Sequence, residues 1–228
     1  MKNKFEELFP SYIFIPLFLL LFVNFITYFC SKIITNHLYH YTLSTMIDDV
    51  IPLVPIFIIV YILAYVQWIV GYIVIARESK KVCYKYLSAE LIAKFICLIL
   101  FFLLPTTMVR PEIRNQGLLL GLVNFIYMVD APVNLFPSIH CLESWLVFRG
   151  SLACKKVPNM YKLTTFIFSI LVCLSTVFVK QHLIVDICGG IIVVEIGILL
   201  SNKFNMGIIY EKINTKLLKN KDDKNEKI

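Results

Sequence analysis

Long uninterrupted runs of apolar residues are the feature that most limits how this chain can fold. The hydrocarbon core of a bilayer needs about 20 consecutive apolar residues for each spanning helix, and the 228-residue sequence contains several such runs. Only 16% of its residues are charged and 59% are hydrophobic, whereas an ordinary soluble domain has about 25% charged residues. These features exclude a disordered chain, a coiled coil and an ordinary cytosolic enzyme, and they indicate a polytopic membrane protein.

Apolar runs bounded by polar residues predict six transmembrane helices in one all-α bundle. The predicted spans are 12–30, 51–76, 89–108, 139–154, 162–180 and 183–201. The fairly apolar stretch 117–136 contains Asp130 and Asn134, so we expect a lid or a surface segment there rather than a seventh span. The sequence thus predicts one transmembrane domain, 1–206, followed by a basic tail, 207–228, with an amphipathic beginning.

Basic residues are distributed unequally between the two sides of this predicted bundle. One side carries 17 of the 22 Lys and Arg residues, including Lys2 and Lys4 at the N-terminus. The opposite side carries four, which are Lys32, Arg110, Arg114 and Lys180. Because cytoplasmic loops hold the excess of Lys and Arg, we expect both termini in the cytoplasm, and we expect residence in a bacterial plasma membrane. This topology explains the net charge of +7 without a nucleic-acid partner.

Polar residues with the chemistry of a phosphoryl-transfer site occur at the predicted outer ends of the last four spans. They are Arg110, Ser138, His140, Lys180, His182 and Asp186. His182 and Asp186 are spaced i, i+4 and therefore share one face of a helix. A carboxylate in that position can orient the imidazole and leave its second nitrogen free as a nucleophile.

The remaining residues of this group can serve a phosphoryl substrate in complementary ways. Arg110 and Lys180 offer positive charge to its oxygens, and Ser138 offers a further hydrogen bond at the start of a helix. His140 can protonate a leaving oxygen. No carboxylate cluster occurs among these motifs, so we expect neither a metal ion nor another cofactor.

The order Arg-Pro, Pro-Ser-x-His and Ser-x6-His-x3-Asp resembles the type 2 phosphatidic acid phosphatase superfamily, a group of histidine phosphatases that includes the soluble vanadium haloperoxidases. The resemblance implies a six-helix membrane core and a phosphohistidine intermediate. It implies that His182 is the nucleophile, that Asp186 orients it, and that His140 is the general acid and later the base. It also implies that Arg110 and Ser138 bind the phosphate.

Two positions depart from the pattern of this superfamily, although the resemblance covers about residues 88–200. Leu103 stands where the family has a Lys, and Thr176 stands where it has an Arg; Lys180 can replace one of these cations. The segments DAPVNLFPSIH and STVFVKQHLIVD resemble the motifs of the lipid phosphotransferase branch of this superfamily, which includes inositol phosphorylceramide and sphingomyelin synthases. The acceptor, water or a lipid hydroxyl, stays open.

Alternatives also stay open for several polar residues and for the function as a whole. Asp130 and Asn134 can order the lid or contact a head group. Glu90 and Lys94 are spaced i, i+4 and predict a structural ion pair. The expected substrate is a lipid phosphate or phospholipid in contact with membrane lipids. The alternative is a non-enzymatic membrane protein that carries or binds lipid, and the oligomeric state is left open.

Overall fold

The chain folds into a bundle of α-helices. The computed structural model describes residues 9–113, 117–204, 207–213 and 215–216, and it contains no β-strand within these ranges. Its helices in chain order are α1 (Ser11–Thr35), α2 (Met46–Val50), α3 (Phe57–Glu78), α4 (Lys80–Leu103), α5 (Leu118–Val129), α6 (Ile139–Ala153), α7 (Asn159–Phe178) and α8 (Ile184–Phe204). The predicted all-α fold class is confirmed. Lys2, Lys4, Arg114 and the tail beyond residue 216 lie outside the described residues.

Five helices in the described ranges are long and apolar enough to cross a membrane, namely α1, α3, α4, α7 and α8. The fourth predicted span, 139–154, forms α6, whose 15 residues extend about 22 Å, less than the hydrocarbon thickness of about 30 Å. It packs against α3, α7 and α8 and buries most of its length. The stretch expected to be a lid forms the short apolar helix α5, in which Val123 is the buried residue.

The third predicted span, 89–108, is displaced along the chain relative to the helix that forms. Helix α4 begins after Ser79, whose hydroxyl oxygen accepts a hydrogen bond from a backbone N–H of the first turn at 3.2 Å. It ends at Leu103, two residues before Pro105, a residue type that cannot continue a helix. Arg110, expected to close this span, therefore lies in the connection that follows.

The three connections 36–56, 104–138 and 179–183 meet at one end of the bundle. The backbone N–H of Ile184 donates to Oδ1 of Asp48 at 2.9 Å, which joins the first of these connections to the start of α8. The residues expected to form the outer-face site are thereby carried to the same end of the molecule. That this end faces away from the cytoplasm stays a prediction.

Helices α6 and α8 approach each other closely at Gly190. A Cβ atom built on this glycine would lie 2.5 Å from the carbonyl oxygen of Ser138 and 3.2 Å from the backbone nitrogen of Leu142. No larger side chain fits at this distance without moving one of the two backbones. The glycine therefore allows the first turn of α6, which carries His140, to lie against the second turn of α8.

Candidate functional site

His182 and Asp186 lie side by side at the start of α8. Nδ1 of His182 is 3.3 Å from Oδ2 of Asp186, and the same carboxylate oxygen accepts the backbone N–H of Leu183 at 2.9 Å. The Asp186 side chain is only 1% exposed. Burial lowers the pKa of the His182 imidazole, but the hydrogen bond and the negative charge of Asp186 oppose this effect, and the net pKa lies above its ordinary value.

The turn that carries His182 is held by the end of α7. The backbone N–H groups of Gln181 and His182 both donate to the carbonyl oxygen of Thr176, at 2.8 and 3.1 Å. Lys180 has a φ of 55°, a left-handed conformation that reverses the chain between the two helices. This local geometry sets the imidazole of His182 at the junction of α7 and α8.

His140, the second predicted histidine, lies next to His182. Their ring centroids are 6.2 Å apart, although His140 lies in α6 and His182 in the connection between α7 and α8. Ser138 caps the helix of His140, because its hydroxyl oxygen accepts the N–H of Cys141 at 3.4 Å, and its own N–H donates to the carbonyl oxygen of Asp186 at 3.0 Å. Ser138 is fully buried, so its contacts hold the two histidine-bearing helices together, whereas its predicted role was phosphate binding.

Three aromatic rings of α3, none of which belongs to the sequence motifs, surround His140. Tyr61 stacks on the imidazole at a centroid distance of 4.3 Å, while Tyr65 and Trp68 approach it at 5.6 and 5.2 Å. The Tyr65 hydroxyl is also 3.3 Å from Nε2 of His140. These residues are spaced i, i+4, i+7 and so share one helix face, a pattern that could have been found in the sequence.

The guanidinium of Arg110 lies beside the histidine turn but is bonded to protein groups. Its Nη1 donates to the carbonyl oxygen of Asp130 at 2.6 Å, and its Nη2 donates to Oε1 of Gln181 at 2.5 Å. It also lies over the ring of Tyr127, 4.6 Å from the centroid. Burial lowers the pKa of Arg110; the negative charge of Asp130 raises it, but the net pKa lies below its ordinary value. A phosphoryl group would have to share this cation with those partners.

Lys180, the second predicted phosphate-binding cation, holds the first outer connection. Its Nζ donates to the carbonyl oxygen of Asp48 at 3.0 Å. Burial raises the pKa of Asp48, but hydrogen bonds from Thr45 and Ile184 and the charge of Lys180 oppose this, and the net pKa is lowered. Lys180 thus carries its charge into the site while it also anchors a loop.

Asp130 and Asn134 join the lid to α1. Asp130 forms an ion pair with Lys32 at 2.7 Å and accepts the hydroxyl of Tyr28 at 2.8 Å. Asn134 donates its side-chain amide to the hydroxyl of Thr35 at 3.0 Å. The lid therefore has specific polar partners, and Lys32 is a cation near the histidines that the motifs did not reveal.

Two cavities meet at His182. The first, about 530 Å³, lies between the helices, is bordered by α1 and the lid, and is lined by both histidines. The second, about 590 Å³, lies among the outer connections and is lined by Arg110, Lys180 and His182. Asp130 and Asn134 line the first cavity. The nucleophile candidate is therefore placed between a mainly apolar cavity and a more polar one.

A buried charged cluster forms the deep end of the first cavity. Nζ of Lys94 is 2.6 Å from Oε1 of Glu143 and donates to Oδ1 of Asn24 at 2.8 Å. The hydroxyl of Tyr72 also donates to the carboxylate of Glu143. The predicted partner of Lys94 was Glu90, which also lies in this cluster with its Oε2 atom unpartnered in the described chain. Glu143, which lies on α6, is the acidic partner within ion-pair distance of Lys94.

The two positions that depart from the superfamily pattern carry no cation into the site. Leu103 is 75% exposed on the surface of the bundle. Thr176 is fully buried, and its hydroxyl donates to the carbonyl oxygen of Cys173 at 2.8 Å. Within the described residues, no group of three His, Cys, Asp or Glu side chains could hold a metal ion.

No family model, curated protein or solved structure matches the chain. The geometry itself defines two imidazoles, one oriented by a buried carboxylate, beside two cations and a cavity that opens between membrane-embedded helices. Such an arrangement has the groups needed for nucleophilic and acid–base chemistry on a molecule held in the cavity.

Proposed function

We propose that this chain is an integral membrane enzyme that transfers a phosphoryl or phosphorylated head group from a lipid through a phosphohistidine at His182. The supporting observation is the convergence of His182, Asp186 and His140 from two helices, with Asp186 on one imidazole and the second imidazole 6.2 Å away. The resemblance of the motifs to the type 2 phosphatidic acid phosphatase superfamily supports the same reaction. The substrate is a lipid phosphate or phospholipid.

The reaction divides into two displacements at phosphorus. Nε2 of His182 bonds to phosphorus while the bond from phosphorus to the leaving oxygen breaks, and that oxygen takes a proton from His140. An acceptor hydroxyl then gives its proton to His140 as its oxygen bonds to phosphorus and the phosphorus–nitrogen bond breaks. The carboxylate of Asp186 stabilises the positive charge on the His182 ring and keeps the proton on Nδ1.

The surrounding charges balance those of the phosphoryl group. Phosphoryl transfer depends mainly on positioning and on neutralisation of oxygen charge. Arg110 and Lys180 line the cavity that includes His182, and they supply the positive charge, with Ser138 holding the helix start of His140. We place the reaction on the extracytoplasmic side on the basis of the loop charges, and we keep a bacterial plasma membrane as the expected location.

The acceptor distinguishes a phosphotransferase from a phosphatase. The cavity between the helices favours a lipid acceptor, whereas the polar cavity among the outer connections favours water. Purified protein incubated with a labelled phospholipid, with and without a lipid alcohol, separates the two. A labelled lipid product supports the transferase, whereas label released only in water-soluble form, as the phosphorylated head group or as phosphate, supports the phosphatase.

The covalent intermediate provides the direct test of the proposed function. Protein quenched during turnover with labelled lipid should carry acid-labile, base-stable label on His182. The variant His182→Asn should carry none and should lose activity on the order of a thousandfold or more. His40→Asn is the matched control, because His40 lies in an outer connection and lines neither cavity around His182. Full activity in His182→Asn would refute the proposal.

A second candidate function is non-enzymatic binding or carriage of a lipid. One observation favours it: Arg110 and Lys180 are hydrogen-bonded to protein groups, and Leu103 and Thr176 supply no replacement charge. A pure binding protein would retain its cellular effect and its lipid affinity in His182→Asn.

A further inference from the structure

The two histidines of the site differ in the partner that orients each ring. His182 faces a carboxylate at Nδ1, which leaves Nε2 for the substrate. His140 has its polar contact at the opposite nitrogen, where the hydroxyl of Tyr65 is 3.3 Å from Nε2. Among the hydrogen bonds of the described residues, this is the one that involves the His140 ring. A neutral phenol at Nε2 is therefore the polar partner of His140, whereas a carboxylate at Nδ1 is the partner of His182.

The neighbouring rings limit how His140 can turn. Tyr61 is stacked on its face with an angle of 22° between the two planes, and Trp68 approaches at 59°. Trp68 is itself fixed, because its indole N–H donates to the hydroxyl of Ser144 at 2.8 Å. Since both rings pack against the imidazole, its plane is set by packing, and the hydrogen bond with Tyr65 selects which nitrogen carries the proton.

The chemistry of a general acid determines the direction of this hydrogen bond. In the imidazolium form both ring nitrogens carry protons, so a partner at Nε2 has to be an acceptor. A phenol oxygen that accepts from Nε2–H can keep this hydrogen bond both in the imidazolium and in the neutral ring that has lost its Nδ1 proton. A phenol that donated to Nε2 would have to reorient at each turnover.

We propose that Tyr65 is the positioning residue of His140: its phenol oxygen accepts from Nε2–H, keeps one proton there, and leaves Nδ1 to exchange a proton with the substrate. The assignment of the proton to Nε2 stands on the contact with Tyr65 and does not depend on the proposed function. Its use in catalysis rests on the proposed function. Tyr65 thereby assigns which atom of His140 serves as acid and base.

The tautomer of His140 is the first test and needs no turnover. The full-length protein labelled with ¹⁵N-histidine has four histidines, and the His140 signals are those that vanish in His140→Gln. We expect neutral His140 to be predominantly the Nε2–H tautomer, and we expect Tyr65→Phe to change the tautomer ratio roughly fivefold, the value of one ordinary hydrogen bond. A predominant Nδ1–H tautomer, or a ratio unchanged in Tyr65→Phe, would overturn the proposal.

The control variant is Tyr12→Phe. It also removes one phenol hydrogen bond, from Tyr12 to the carbonyl oxygen of Ala76 at 2.5 Å, in a part of the bundle that lines neither cavity at His182. We expect it to leave the His140 tautomer unchanged. An equal change in both variants would mean that the effect is general loosening of the bundle, and the proposal would fail.

The dependence on the leaving group is the second test. An alkoxide needs a proton as it leaves, whereas nitrophenolate does not. With matched phosphodiester lipids, Tyr65→Phe should lower kcat about tenfold or more for the alkyl leaving group and less than about threefold for nitrophenol, with KM unchanged. Equal losses on both substrates would overturn the catalytic role of Tyr65. Wild-type activity in His182→Asn would instead refute the proposed function, while the tautomer result would still decide the orientation of His140.

Discussion

The ion pair between Lys94 and Glu143 predicts a large and specific effect on stability. The Lys94 side chain is 1% exposed and that of Glu143 is 7% exposed, with 2.6 Å between the charged atoms. Replacing Lys94 by Met removes the cation from the buried carboxylate of Glu143, which keeps its hydrogen bond from the Tyr72 hydroxyl. Breaking a buried pair in this way costs about 3–5 kcal/mol, which corresponds to a fall in Tm of roughly 10 °C for a chain of this size.

The double variant Lys94→Met/Glu143→Gln separates the cost of an uncompensated charge from the value of the pair. It removes both charges and keeps an acceptor for Tyr72, so we expect it to recover most of the stability lost in Lys94→Met. Lys81→Met, at an exposed lysine of the same helix, is the control and should change Tm by no more than about 2 °C.

Thiol labelling provides the assay in detergent. Cys83, Cys97, Cys141, Cys154 and Cys173 are buried, so a dye that fluoresces on reaction with thiols reports unfolding as the temperature rises. The reasoning would be refuted if Lys94→Met melted within about 2 °C of the wild type. A double variant less stable than Lys94→Met would refute it equally.

Three further predictions concern the proposed reaction. The pKa of His182 is raised above its ordinary value and the nucleophile has to be neutral, so kcat/KM should fall as the pH drops through a midpoint above about 6.5. Asp186→Asn removes the carboxylate that raises this pKa, so the acidic limb of the pH profile should move to lower pH. An acidic limb that does not move would belong to another residue. Vanadate, which mimics pentacoordinate phosphorus, should inhibit turnover, and EDTA should not. An assay of released phosphate or of the lipid product measures both effects. Loss of activity in EDTA would contradict a metal-free reaction. Gly190→Ala brings a methyl group against the Ser138 carbonyl, so it should destabilise the bundle by about 1–3 kcal/mol and lower kcat by separating the two histidines. A variant with the melting temperature and kinetics of the wild type would show that this backbone contact is not needed.

Features encoded within one segment could be predicted from the sequence. The apolar runs predict spanning helices, because every spanning segment must satisfy its own backbone hydrogen bonds in hydrocarbon. The i, i+4 spacing of His182 and Asp186 predicts their contact, and the contact forms although His182 precedes Ile184, the first residue of α8, because the Asp186 carboxylate in the first turn reaches back to the preceding connection. Even so, the limits of the third span were misplaced, since the apolar run continues beyond the residue at which α4 ends, Leu103.

Contacts between helices were decided by the tertiary structure. Lys94 was expected to pair with Glu90 on its own helix, but packing of α6 against α4 brings Glu143 within 2.6 Å of its ammonium. The contact between Tyr65 and His140 has the same origin. Spacing along the chain determines which side chains share a helix face, whereas the close approach of backbones, as at Gly190, determines which faces meet.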